Sequence, residues 1–170
     1  EMCIRDRNKL QAELGVNKER ADGLFKQYHS RVPFVKQLMD NVMQRAQGRG
    51  RIRTLLGRLC RFHLWEPNQF GIHKPLPHDA ALEEHGPGIR RAYTYKALNR
   101  LIQGSAADMT KKAMIELHKE GITPHIQVHD ELDISVSDNA GKIKDIMESA
   151  VQLEVPNKVD YESGPNWGTI

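Results

Sequence analysis

The chain has 170 residues, 39% of them hydrophobic, with 25 Lys+Arg against 22 Asp+Glu and a net charge of +3 at pH 7. That length supports a domain with its own core, and the mild basicity permits a nucleic-acid partner without demanding one. No apolar run approaches the roughly 20 residues of a membrane span, and Cys3 and Cys60 make neither a disulfide framework nor a paired-thiolate zinc motif, which points to a reducing compartment.

Residues 1–7, Glu-Met-Cys-Ile-Arg-Asp-Arg, resemble the translation of a transposon end used to build sequencing libraries. They are read as non-native, with the natural protein extending further upstream. Residues 1–30 lack the apolar block of a signal peptide. Asn17 is placed to cap a helix in which Ala21, Leu24, Phe25 and Tyr28 keep helical spacing. Pro33 suits the first turn of the next helix, with Phe34, Leu38, Val42 and Arg45 along it and Gly48 and Gly50 ending it.

Six arginines, at 45, 49, 51, 53, 58 and 61, follow with glycines among them. Residues 52–59 read as strand, turn, strand. Arginines on such a hairpin can reach phosphates and position a nucleic acid without reading its sequence. A solvated basic face has the same composition, and both readings stay open. Residues 65–90 hold Pro67, Pro75, Pro77 and Pro87 and read as a loop or insertion. His63, His73, His78 and His85 have no tight ligand spacing, so zinc is not expected.

Ala92 to Lys119 is the longest helical pattern, with Leu98, Leu101, Ile102, Ala106, Met109, Ala113, Met114 and Leu117 as its apolar stripe and Gly121 as its stop. Asn99 and Gln103 are four apart and share a face beside the small Gly104 and Ser105. Next, apolar residues alternate at 126, 128, 132, 134 and 136, the pattern of a strand with one buried face. Asp130 interrupts it, and a carboxylate in a core is costly. A hairpin with His129, Asp130 and Glu131 as its loop resolves the conflict: Val128 then faces Leu132, and Ile126 faces Ile134. Two carboxylates and an imidazole at a stiff tip suit a divalent metal, although an ordinary charged turn carries the same residues. Ser137 or Asp138 is placed to cap a final helix through Leu153. Residues 158–162 alternate like a strand, and Trp167 reads as an apolar anchor.

The blocks Asn99-Arg100-Leu101-Ile102-Gln103-Gly104-Ser105-Ala106-Ala107-Asp108, Lys112-Ala113-Met114 and Gln127-Val128-His129-Asp130-Glu131-Leu132 resemble the C-terminal part of family A DNA polymerases, the class of bacterial DNA polymerase I and related phage replicases. Thr54-Leu55-Leu56-Gly57-Arg58 and the ending Gly164 to Trp167 are similar to further family elements, so the resemblance runs from about Leu10 to the end. It implies an α+β fold, with an antiparallel palm sheet, a catalytic β-hairpin and packed helices. It divides the chain into late fingers helices and the basic hairpin at 8–64, the loop or insertion at 65–90, and the distal palm at 91–170.

The resemblance also implies roles. Asp130 is a ligand of catalytic Mg2+, Glu131 sits beside the metals, and His129 contacts the primer terminus. Asn99 and Gln103 lie along the duplex. From the basic hairpin itself, independently of the resemblance, Arg51, Arg53 and Arg58 are the candidate DNA contacts. The implied activity is template-directed DNA synthesis by two-metal nucleotidyl transfer. Its partners are primer-template DNA and deoxynucleoside triphosphates, in the cytoplasm of a bacterium or a phage-infected host, with any processivity factor left open. Where bacterial members carry an arginine four residues before the helix asparagine, this chain has Tyr95. The family's other metal-binding aspartate and its nucleotide-gripping helix precede the matched region, so the chain is expected to be a truncated, inactive part. A metal-dependent nuclease using the same carboxylates, or a non-catalytic DNA-binding domain, are the alternatives.

Overall fold

The computed structural model describes residue 9 and residues 11–69, 71–135 and 139–169. Residues 1–7, Val136, Ser137, Asp138 and the Trp167 side chain, which carry expectations above, lie outside the described residues. The chain divides into two compact units, Glu1–Arg53 with Leu59–Leu101, and Thr54–Arg58 with Ile102–Ile170.

The first unit opens with a helical pair, α1 (Lys18–Arg31) and α2 (Pro33–Arg49). Asn17 caps α1, its side-chain oxygen accepting from the Arg20 amide at 2.9 Å. Pro33 opens α2, where its missing amide hydrogen costs nothing. Gly48 stays inside the helix, and Gly50 ends it at φ 65°, its amide donating to the Ala46 carbonyl. The buried face of α2 differs from the expected one. Phe34 and Leu38 are 63% and 39% exposed, while Val42 and Ala46 go inside with Met43 beside them. Apolar residues also stand at 35, 39 and 43, so two neighbouring faces satisfy the helical period and packing chooses between them.

Two short strands follow, β1 (Arg51–Arg53) and β2 (Leu59–Arg61). They pair antiparallel, Arg51 opposite Arg61, Ile52 opposite Cys60 and Arg53 opposite Leu59. Alternation sends Ile52 inward and leaves Arg51 and Arg53 outside. Ile52 joins Val42, Ala46, Phe62 and Ala97 in a small core. Burial of a side chain as large as Phe62 contributes about 1.5–3 kcal/mol.

Residues 65–90, expected as a loop or insertion, carry regular structure. β3 (Leu64–Pro67) lies between β4 (Leu76–Pro77) and β5 (Ile89–Arg91), all antiparallel, and α3 (His78–His85) follows β4. Pro67 and Pro77 end their strands, where a missing donor is tolerated, so the prolines punctuate this sheet rather than prevent it. Arg91 ties the unit together. Its Nε donates to the Gln47 carbonyl at 3.1 Å and its Nη1 to the Phe62 carbonyl at 2.8 Å, and its guanidinium lies 4.4 Å from the Trp65 ring centre.

α4 spans Ala97–Lys119, preceded by a 3-10 turn over Thr94–Lys96 rather than starting at Ala92. From Ile102 onward it belongs to the second unit. Gly121 ends it at φ 76°, and the Ile122 amide donates to the Leu117 carbonyl at 2.9 Å. Ala113, Leu117 and Ile143 are buried, but Ile102 and Ala106 of the expected stripe are exposed. β6 (Ile126–Val128) and β7 (Glu131–Asp133) form the expected hairpin in a different register. Val128 opposes Glu131, Gln127 opposes Leu132, and Ile126 opposes Asp133.

The loop of this hairpin is therefore His129–Asp130, two residues rather than three. That one-residue slip reverses faces, so Val128 shares a side with Glu131 and Leu132 with Gln127. The continuous apolar face does not form, and Ile126 and Val128 are 42% and 37% exposed. His129 takes φ 52°, the left-handed conformation that two-residue hairpin turns require. α5 (Ala140–Ser149) follows Asn139 and stops short of Leu153. Residues 158–162 take no regular structure; Glu148 instead accepts the Val159 amide at 3.0 Å. Helices with small antiparallel sheets make the class α+β, as expected. No helix among the described residues is long and apolar enough to cross a membrane.

Candidate functional site

The tip of the β6–β7 hairpin brings His129, Asp130 and Glu131 together, all exposed. Asp130 stands in the turn and Glu131 opens β7, so two consecutive acidic residues are both exposed to solvent. Gln127 braces the turn, its Nε2 donating to the His129 carbonyl at 2.7 Å. Magnesium takes oxygen ligands and uses only one or two protein carboxylates alongside water and phosphate oxygens. Asp130 and Glu131 fit that requirement in the kind and number of donors. Among the described residues no group of three or more His, Cys, Asp and Glu is placed to hold a metal.

A second constellation joins the 54–58 turn to α4. The Thr54 amide donates to the Arg58 carbonyl and the Gly57 amide to the Thr54 carbonyl, each at 2.9 Å. The Thr54 hydroxyl hydrogen-bonds Asp108 Oδ2 and accepts from the Arg58 amide at 3.0 Å. Arg58 Nε donates to Asp108 Oδ1 at 2.7 Å, and its Nη2 to the Gly104 carbonyl at 2.8 Å. The Leu55 amide donates to Ser105 Oγ at 3.0 Å.

Asp108 is buried. Burial by itself pushes its pKa up, but the hydrogen bonds from Thr54 and Arg58, with the charges of Arg58 and Lys111, outweigh that and hold it below the ordinary value. A Cβ on Gly104 would stand 2.8 Å from Thr54 Cγ2, so the turn sits where only glycine leaves room. Arg58 is thus locked in place with its side chain half exposed. Sequence reasoning missed Thr54 and Asp108. The available signal was an Asp, a poor helix former, in the middle of a 23-residue helix.

Arg51 and Arg53 project from the outer face of β1, both exposed. Asn99 and Gln103 are exposed one turn apart on α4, sharing a face. Tyr95 lies with its ring centre 5.5 Å from Lys96 Nζ.

The model of DNA polymerase family A matches residues 5–169. A DNA-directed DNA polymerase of Pseudomonas phage M6 is 40% identical over 143 residues, covering 83% of this chain and 18% of that protein. DNA polymerase I of Geobacillus stearothermophilus is 34% identical over 169 residues, covering 93% of this chain and 17% of that protein. A solved structure of the POL domain of Pol1 from M. smegmatis, in complex with DNA primer-template and dNTP, matches with a TM-score of 0.61 at 27% identity, covering 88% of this chain and 25% of that one. The chain spans under a fifth of the length of these curated relatives.

Proposed function

The chain belongs to DNA polymerase family A, and from that premise we propose that its parent protein is a DNA-directed DNA polymerase, in which this region carries the catalytic hairpin and a duplex-facing helix. The parent adds deoxynucleotides to a primer 3′-hydroxyl on a DNA template, in the cytoplasm of a bacterium or a phage-infected host. One observation carries this reading: two adjacent solvent-facing carboxylates on a braced two-residue turn, inside a family match that covers almost the whole chain.

Asp130 would hold Mg2+, with Glu131 beside it. Bound magnesium supplies Lewis acidity toward the primer hydroxyl and the triphosphate, and charge neutralisation at the leaving pyrophosphate. The remaining work falls to the chain's own side chains. His129 holds the primer end. The Asn99 and Gln103 amides donate toward minor-groove acceptors, which occur in every base pair, so they test pair geometry without reading sequence. Arg51, Arg53 and Arg58 neutralise backbone phosphates.

Charge removal in the full-length protein tests the assignment. Asp130→Asn keeps size and should cost roughly 10³-fold in single-turnover rate, while metal-free DNA affinity is retained. Glu131→Gln should cost less, and His129→Ala should mainly raise the dissociation constant for the primer end. Gln103→Ala should weaken extension with its magnesium dependence unchanged. Near-normal chemistry in folded Asp130→Asn would return the hairpin to an ordinary charged turn.

A further inference from the structure

The outer face of the β1–β2 ribbon brings two arginines directly opposite each other. Arg51 stands directly opposite Arg61. The Phe62 amide donates to the Gly50 carbonyl at 2.8 Å, which makes that neighbouring pair hydrogen-bonded. By alternation Arg51 and Arg61 form a non-hydrogen-bonded pair, the kind whose side chains stand closest. Arg53 lies on the same face, roughly 7 Å further along the strand and diagonal to Arg61. All three arginines are exposed. Among the described residues no carboxylate pairs with Arg51 or Arg61.

Like charges directly opposite each other on a sheet cost stability. The register cannot slip to separate them, because Ile52 is buried in the core with Cys60 packed against it, and a one-residue slip would turn arginines inward. The fold therefore keeps a repulsion that a bound anion relieves. Guanidinium forks match phosphate oxygens two at a time. A further arginine one strand repeat away suits an anion that also repeats, rather than a single small one.

We propose that this face is a phosphate clamp for a nucleic-acid backbone, in which Arg51 and Arg61 share one phosphodiester and Arg53 takes the next on the same strand. The clamp rests on the nucleic-acid reading above and adds Arg61 to it. Such contacts hold the strand in register and carry no sequence preference.

Fluorescent primer-template DNA titrated with the 170-residue chain at several salt concentrations tests the clamp. The Arg51→Gln/Arg61→Gln double variant should lower the magnitude of the log–log salt slope by about 0.9, one phosphate's worth. Each single variant should lower it by less, because the remaining arginine still neutralises the shared phosphate. Arg53→Gln should remove about another 0.9 in any of these backgrounds. The melting temperature of ligand-free Arg61→Gln should hold or rise, whereas a structural role would lower it.

A wild-type slope retained by the double variant overturns the clamp and leaves the polymerase reading intact. A folded wild type with no salt-dependent DNA binding removes the nucleic-acid reading and the clamp with it. If calorimetry shows pyrophosphate binding that the double variant loses while its DNA slope is unchanged, this face is a small-anion site, and the clamp is overturned with the polymerase reading intact.

Discussion

Asp108 accepts from two partners at once, the Thr54 hydroxyl and the Arg58 guanidinium, and is buried while doing so. Asp108→Ala takes the charged acceptor away from the Arg58 guanidinium and from the buried Thr54 hydroxyl, so it should cost about 2–3 kcal/mol in chemical denaturation. The pH dependence has a fixed sign. The folded pKa lies below the ordinary 3.8, so this carboxylate contributes its stability above that value and loses it as pH falls through the lowered one. Wild-type denaturation midpoints should therefore drop on the acid side of pH 3.8, and Asp108→Asn should flatten that part of the profile. Equal acid sensitivity in both proteins would remove Asp108 from the account. The Arg58 guanidinium meanwhile holds the turn to α4 through two nitrogens while its side chain stays half exposed.

The turn over Thr54–Arg58 and helix α4 meet through Gly104 and Ser105, and that meeting sets two effects against each other. Gly104→Ala should gain up to about 1 kcal/mol of helix propensity. The new methyl would stand 2.8 Å from Thr54 Cγ2 and 3.4 Å from Arg58 Nη2. Arg58 could swing away, but Thr54 is fixed by Asp108 and by the turn's backbone bonds. The clash should win, and the melting temperature should fall. A rise would show that the turn yields cheaply. In the β6–β7 hairpin the competition runs between turn geometry and apolar pairing. The two-residue turn prevails because most of the hairpin is exposed, so little burial is gained from the alternative register.

The β1–β2 ribbon of the first unit carries exposed arginines, and the hairpin tip of the second carries two exposed carboxylates. The tip offers two carboxylates, and no larger metal-holding group forms among the described residues. The 170-residue chain alone should therefore fail to extend a primer with deoxynucleotides and magnesium, yet bind primer-template DNA with affinity that drops steeply as salt rises. Clear templated extension by the purified chain would show that the tip needs no carboxylate from elsewhere.

Local backbone chemistry was legible in the sequence. Asn17, Pro33, Gly50 and Gly121 announced helix ends because capping and left-handed φ depend on a few adjacent residues. The α+β class, the hairpin around Asp130 and the family resemblance were equally readable, since each rests on short ordered runs. The tertiary structure decided what depended on distant partners. It kept Val42 inside, as expected, but set Ala46 beside it rather than Phe34 and Leu38 on the inner face of α2. It built a sheet from 65–90 by pairing β3 with strands on either side, which composition alone does not encode. It set the hairpin register, where alternation of apolar residues suggested a slip of one. It joined Thr54 to Asp108 across 54 positions, a contact no local window contains. Sequence fixes the conformations that neighbours along the chain can enforce, and packing selects among faces and registers that local rules leave nearly equal in energy.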